Sequence, residues 1–255
     1  MNGQVIMEVI DGVAEITIDR PAKMNAVTPE MATAIDLHCR NADAQDQIRA
    51  ILIKGAGEKA FCAGSDLSAL AQYTTAWQFR NRLEYAASVR AVRKPVVAAL
   101  HGWVLGGGAE IALAADIRVA AHSTRCGFPE VTRGWVGGGG ASQMLPRLIG
   151  YGSAMKMLLL GEQMDAAEAF RVGLVDYLVP DSAMIATARQ IAVKLAGYSP
   201  VATQAVKASV RASLNCSLDA GLRYENEMNT LCFSAGDHLE GIKAFQERRE
   251  PGFRR

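Results

Sequence analysis

Apolar and polar residues alternate at the start of the chain: Val5, Met7 and Val9, then Ala14, Ile16 and Ile18, with Asp11-Gly12 between the two sets. A period of two broken by a turn dipeptide predicts a β-hairpin. The period then changes. Thr28-Pro29-Glu30 supplies a cap, a first-turn proline and an early acid, which predicts a helix running to about Ala44. Ala50-Ile51-Leu52-Ile53-Lys54 is an unbroken apolar run ending at Gly55-Ala56-Gly57, as expected of a strand covered on both faces. A helix is expected over about 76–92, followed by Lys94-Pro95 and a strand at 96–100. Helix–strand alternation continues through Val119 and again at 175–179, so the class is α/β with mainly parallel strands. From about Ala183 the pattern is helical only, over 185–195, 200–214, 218–233 and 237–248. The chain thus divides into a core, 1–196, and an all-helical region, 197–255, with Gly197-Tyr198-Ser199-Pro200 as the hinge.

Composition narrows the functional classes. The 255 residues suffice for a real core, and 27 basic against 26 acidic residues argue against broad adhesion to nucleic acid or anionic lipid. Cys39, Cys62, Cys126, Cys216 and Cys232 are scattered, odd in number and without a C-x-x-C, which suggests reduced thiols in a cytoplasmic setting and no metal site. The most apolar stretch, 95–121, contains His101, three successive glycines, Glu110, Asp116 and Arg118, each disruptive in a bilayer. No membrane span is expected there, and Met1-Asn2-Gly3-Gln4 shows no secretory leader pattern.

Glycine is clustered, and the clusters sit where helices begin. Gly106-Gly107-Gly108 follows a strand, yet Ile111 stands where a dinucleotide fingerprint needs its third glycine. The run from Gly137 to Gly140 has Ser142 at the corresponding place, and neither cluster leads into the Lys-Ser or Lys-Thr of a phosphate loop. A helix N-terminus stripped of side chains does offer unpaired N–H groups to an oxygen that becomes anionic in reaction. The alternative is a turn made only for close packing. Phe61 to Leu67 makes the same offer at a second strand end, and two such entries together suggest an oxyanion hole. Glu110 lies four residues into an otherwise apolar helix, where a carboxylate is rare unless paired, protonated or functional. Glu130, in Gly127-Phe128-Pro129-Glu130-Val131, is either the second member of an acid–base pair or a surface loop acid. There is no G-x-S-x-G and no H-E-x-x-H; His101 reads as structural and Cys62 as a small buried residue.

Taken in order, these blocks resemble the crotonase superfamily, the enoyl-CoA hydratases and isomerases. The likeness rests on Arg20-Pro21 with Asn25-Ala26, on 60–67, on 102–116 with Gly-Gly-Gly-Ala-Glu inside it, and on Phe128-Pro129-Glu130 with Gly134 and Gly138. It continues through Ala166, Glu168 and Ala169 to Gly173-Leu174-Val175, and closes with Glu240-Gly241, Ala244-Phe245, Arg248-Arg249 and Pro251. The resemblance implies a crotonase-like spiral of ββα turns whose C-terminal helices mediate trimers, often paired into hexamers. It implies an acyl-CoA thioester as substrate and no cofactor beyond the coenzyme A that the substrate carries. The N–H groups of Ser65 and Gly107 would hold the thioester oxygen, Glu110 would take a proton from water, and Glu130 would deliver one to C2. The backbone of Gly138 would help orient that water. Lys23, Ala63, Ser65, Asp66 and Leu67 would contact coenzyme A, and Arg254 would reach the nucleotide phosphate of a neighbouring subunit. Family isomerases generally keep only the later acid, so two acids favour hydration or its reverse. The alternatives are a Δ3–Δ2 enoyl-CoA isomerase using Glu130, and a coenzyme-A-binding scaffold without turnover. Two departures stand out: Ser68 replaces a lysine frequent in the family, and Trp135-Val136-Gly137 replaces an Ile-Pro or Leu-Pro step, which points to a short, branched or cyclic acyl group.

Overall fold

The structure is a computed structural model and describes residues 3–253. Strands β1 (Gln4–Ile10) and β2 (Val13–Asp19) form the expected hairpin, paired antiparallel from Gln4↔Asp19 to Ile10↔Val13. Helix α1 (Pro29–Ala44) starts where Thr28 accepts from the Met31 N–H at 3.3 Å. The chain continues through β3 (Ala50–Gly55), β4 (Ala60–Cys62), α2 (Leu67–Leu70), α3 (Ala76–Arg80) and α4 (Tyr85–Ala91). Next come β5 (Val96–Leu100), β6 (Trp103–Leu105), α5 (Gly107–Ala114), β7 (Ile117–Ala121) and β8 (Arg125–Gly127). A 3-10 turn at Pro129–Arg133 leads to α6 (Ala141–Ile149), α7 (Tyr151–Leu160), β9 (Gln163–Asp165), α8 (Ala166–Arg171) and β10 (Tyr177–Val179). Four helices close the described chain: α9 (Met184–Ala196), α10 (Pro200–Ser213), α11 (Leu218–Ala235) and α12 (Asp237–Glu247).

The strands form two sheets, ordered β1-β2-β3-β5-β7-β10 and β4-β6-β8-β9. From β3 to β8 each successive strand goes to the other sheet, so every turn of the chain contributes one strand to each. That is a spiral of ββα turns. All pairings are parallel except the hairpin and β8 with β9. The central strands explain their unbroken apolar runs. Ile51, Ile53, Val96, Ala98 and Leu100 face the main core, while Leu52, Val97, Ala99, Val119 and Ala121 face a second core closed by Met184, Ala188 and Ala192 of α9.

One expected element is corrected. The helix expected over 76–92 is two helices, because Asn81 Nδ2 donates back to Trp77 O at 2.7 Å and ends α3. Glu84 then takes an extended backbone and accepts from the Ala86 N–H to start α4. The break brings Arg82, Leu83 and Glu84 to the cleft described below. Helix α10 is tied to the core through Lys207, whose Nζ donates to Lys94 O at 2.7 Å and pairs with Asp116 at 2.5 Å. Helix α11 buries none of its residues.

Candidate active site

The site begins with a brace. Asn25 is fully buried, and its Nδ2 donates to Ala56 O, Ala60 O and Phe61 O at 2.9, 2.7 and 3.2 Å. Its Oδ1 accepts from the Arg20 N–H at 2.8 Å. Arg20 in turn reaches Asp66 Oδ2 at 2.6 Å, and Asp66 Oδ1 accepts from the Ser68 N–H and hydroxyl. These bonds, Ser68 first and Arg20 second, hold the Asp66 carboxyl down at about 2. The loop from Ala63 to Asp66 is thereby fixed at both ends. Gly64 carries φ +92, open to glycine and strained for other residues, and a Cβ there would lie 3.1 Å from the Gly107 nitrogen. Two peptide segments therefore run in contact. Among the described residues the N–H groups of Ser65 and of Gly107, the first residue of α5, bond to no acceptor in the chain. Both line one cleft of about 780 Å³, a size suited to a small-molecule site. Tyr85 completes this corner: its hydroxyl lies 3.0 Å from Ser65 Oγ, and burial pushes its pKa well up, so it stays a phenol.

Two carboxylates enter the same cleft from different elements. Glu110 of α5 is 4% exposed, and its Oε1 accepts from the N–H groups of Gly139 and Ala141 at 2.8 and 3.1 Å. Glu130 sits in the 3-10 turn, its Oε1 3.1 Å from where a Cβ on Gly106 would stand. Its Oε2 is buried without a hydrogen-bond partner. Burial first, and the charge of Glu110 second, raise the Glu130 pKa. A carboxyl so placed favours its protonated form. A third acid is close by. A methyl group on Gly139 would lie 2.5 Å from Glu84 Oε2 and 2.6 Å from Glu110 Oε2, so these carboxylates face each other across the space of one methyl. Burial, and then Glu110, raise the Glu84 pKa as well.

The sequence profile described as Enoyl-CoA hydratase/isomerase matches residues 8–255. The chain belongs to the enoyl-CoA hydratase/isomerase family. It is 37% identical to the (E)-benzylidenesuccinyl-CoA hydratase of Thauera aromatica, with 98% of each chain covered. It is 35% identical to the short-chain-enoyl-CoA hydratase of Clostridium acetobutylicum (96% of this chain, 95% of that one) and 36% identical to the 2,3-dehydroadipyl-CoA hydratase of Escherichia coli (94% of each). The crystal structure of enoyl-CoA hydratase from Bacillus anthracis superposes with a TM-score of 0.93 at 32% identity, covering 98% of this chain and all of the other. The fold is thus that of the crotonase enzymes, as the resemblance implied.

In this enoyl-CoA hydratase/isomerase family member the cleft gathers Lys23, Ala63, Ser65, Asp66, Leu67, Gly107, Glu110, Glu130 and Gly138. Arg254 lies outside the described residues. The backbone group that meets Glu110 is Gly139 with Ala141; the Gly138 N–H has no partner among the described residues and lies beside Arg82. Asp66 spends its carboxylate on Arg20 and Ser68, so its side chain braces the loop. Trp135 forms part of the wall, packed on Phe79 with ring centroids 5.4 Å apart. Sequence reasoning missed Arg82, Glu84 and Tyr85, all within the stretch expected as one helix. The signal was there in form: a Glu followed by an apolar run is also how a helix starts.

Proposed function

We propose that the chain is an enoyl-CoA hydratase, a hydro-lyase that adds water across the C2=C3 bond of an acyl-CoA thioester or removes it in the reverse direction. One observation carries the reading: two unpartnered N–H groups and two carboxylates from separate elements share one cleft. Ser65 and Gly107 would donate to the thioester oxygen and stabilise the enolate as charge develops on it, each donor contributing about 2.7–4 kcal/mol to the barrier. Glu110 is fixed by two backbone donors on Oε1, which leaves Oε2 to take the proton of the attacking water. Glu130, whose burial favours the protonated form, would give its proton to C2. Dehydration reverses these roles. The relatives' names cover short-chain enoyl, benzylidenesuccinyl and 2,3-dehydroadipyl thioesters, and the feature common to them is the unsaturated thioester.

The reading extends to the assembly. Residues 1–196 form the catalytic core and 197–255 an oligomerisation region that makes a homotrimer or a dimer of trimers, supported by the apolar surface α11 and α12 leave uncovered. A cytoplasmic location fits the five unpaired thiols and the absence, among the described residues, of a helix long and apolar enough to cross a membrane. No cofactor beyond the substrate's coenzyme A enters the proposed steps.

The test is the absorbance of the conjugated enoyl thioester on mixing with crotonyl-CoA. Hydration removes the band, and Glu110→Gln and Glu130→Gln each slow its loss by about 10²–10⁴-fold. Retained β,γ to α,β isomerisation in Glu110→Gln, with no hydration by the unaltered protein, would replace this reading by the isomerase one.

A further inference from the structure

The break between α3 and α4 places a guanidinium in the cleft that neither proposed proton-transfer step uses. Arg82 Nη1 donates to Phe79 O at 2.8 Å, and the guanidinium carbon stands 4.0 Å from the centroid of the Phe79 ring. Phe79 is itself wedged between Trp135 and Tyr73, with centroids 5.4 and 5.8 Å away. The arginine head is therefore held in place from one side only. Its Nη2 and Nε donate to nothing, and no carboxylate lies within ion-pair distance, among the described residues. Nη2 occupies the space over Gly138, 2.6 Å from where a Cβ on that residue would stand. Gly138 adjoins Gly139, whose N–H holds Glu110, so the free edge of the guanidinium lies beside the acids. Lys23 and Asp66, by contrast, belong to the elements that precede α2.

A neutral acyl tail gains nothing from such a group and must strip water from it. Nor is its charge cancelled from within. Glu84, two residues on, makes no ion pair with it; the Arg82 and Arg90 charges draw the Glu84 pKa down, but burial and the neighbouring Glu110 outweigh them and raise it. A carboxylate fits both free N–H edges at once, the fork geometry that distinguishes arginine from lysine. The Phe79 and Trp135 faces supply a flat apolar wall for the carbons leading to it.

We propose that the acyl group carries a second carboxylate, so that the substrates are enoyl thioesters of short dicarboxylic acids, and that Arg82 binds this distal carboxylate. The proposal rests on the thioester reading above. A phosphate of coenzyme A is the other anion that could meet the same guanidinium, and the experiment separates the two.

Binding and turnover are measured for matched pairs. Calorimetry compares glutaryl-CoA with pentanoyl-CoA, saturated thioesters whose binding needs no chemistry. Kinetics compare five- and six-carbon enoyl diacid thioesters with 2-pentenoyl-CoA and 2-hexenoyl-CoA. The expected result is a preference for the diacid member of about 10- to 100-fold, the range of hydrogen bonds to charged groups. Arg82→Gln should bring that ratio close to one, chiefly through KM, and Arg82→Lys should keep part of it. Circular dichroism melts establish that each variant is folded. Equal binding within each pair would overturn the proposal, as would a ratio that Arg82→Gln leaves intact. The same pairs built on dephospho-CoA must keep the preference; an Arg82→Gln penalty seen equally for both members of a pair, and lost with the phosphate, would assign Arg82 to coenzyme A instead. A diacid preference in binding without hydration of any thioester would remove the hydratase reading alone, whereas hydration without diacid preference would remove this inference alone.

Discussion

The thiol of Cys62 lies three residues from the Ser65 N–H, yet burial pushes its pKa up to about 12, and Cys39 and Cys126 are buried and raised to about 12 in the same way. These sulfurs are packing atoms, not nucleophiles. Their protons carry a stability consequence. Above about pH 9 the unfolded chain gives up thiol protons that the native state keeps, so the contribution is full below that pH and is lost as pH rises toward 12. Lys207 works the other way. Burial lowers it to about 8, so between there and its ordinary value of 10.5 the unfolded chain holds a proton that the native state does not. Three thiols against one ammonium leave a net fall. Thermal melts at stepped pH should show Tm rising slightly between about pH 8 and 9, where only Lys207 of these groups differs in protonation, and falling beyond it. Cys39→Ala should lower Tm at pH 7 through lost packing volume, yet show a shallower decline above pH 9. A decline as steep as in the unaltered protein would assign the alkaline loss to other groups.

At the scale of elements, the proposed oxyanion site requires α5 to lie directly on β4. A Cβ on Gly108 would stand 2.1 Å from the carbonyl oxygen of Cys62, a backbone atom that cannot swing aside. Gly108→Ala must therefore push the start of α5 away from β4 and move the Gly107 N–H relative to that of Ser65. If Gly107 is the oxyanion donor proposed above, the expected outcome is a loss in kcat of about 10²–10³-fold, the cost of one misplaced donor, in a chain that still shows its native far-ultraviolet spectrum. Steady-state kinetics alongside circular dichroism checks it. Elements also show what a sequence carries and what it hides. The hairpin, α1, the buried strands and the four closing helices were legible because each has a single period and a cap or turn at its ends. Glu110 was legible because an acid amid Ala, Ile and Leu has few structural explanations. The helix expected over 76–92 failed because the periodicity on either side of the break is the same, and only the Asn81 back-bond and the Glu84 cap interrupt it. Arg82, Glu84 and Tyr85 were hidden with it. In a run of four glycines, likewise, no side chain marks which N–H turns toward Glu110, and the structure shows it to be that of Gly139.

The molecule as a whole is two sheets wound in one spiral, with a helical end that exposes more apolar surface than a lone chain keeps. Phe245 is 85% exposed, and Leu218, Leu222, Leu231, Phe233 and Leu239 are all exposed on α11 and α12. Light scattering should give three or six times the 27.3 kDa chain mass, and Phe245→Asp should shift the distribution toward the single chain. A monodisperse monomer at micromolar concentration would refute the assembly. The interruption between α3 and α4 matters at this scale too. From 71 to 83 no residue is buried, although the stretch runs along the cleft and carries Phe79 and Arg82. Gly107 and Glu110, in contrast, belong to the buried helix α5, and the loop carrying Ser65 is pinned through Asn25, Arg20 and Asp66. Changes between 71 and 83 therefore meet almost no resistance from folding, while changes in the spiral meet a great deal. Such a chain can acquire a new taste in acyl groups by rewriting a dozen surface letters, leaving its chemistry as it was.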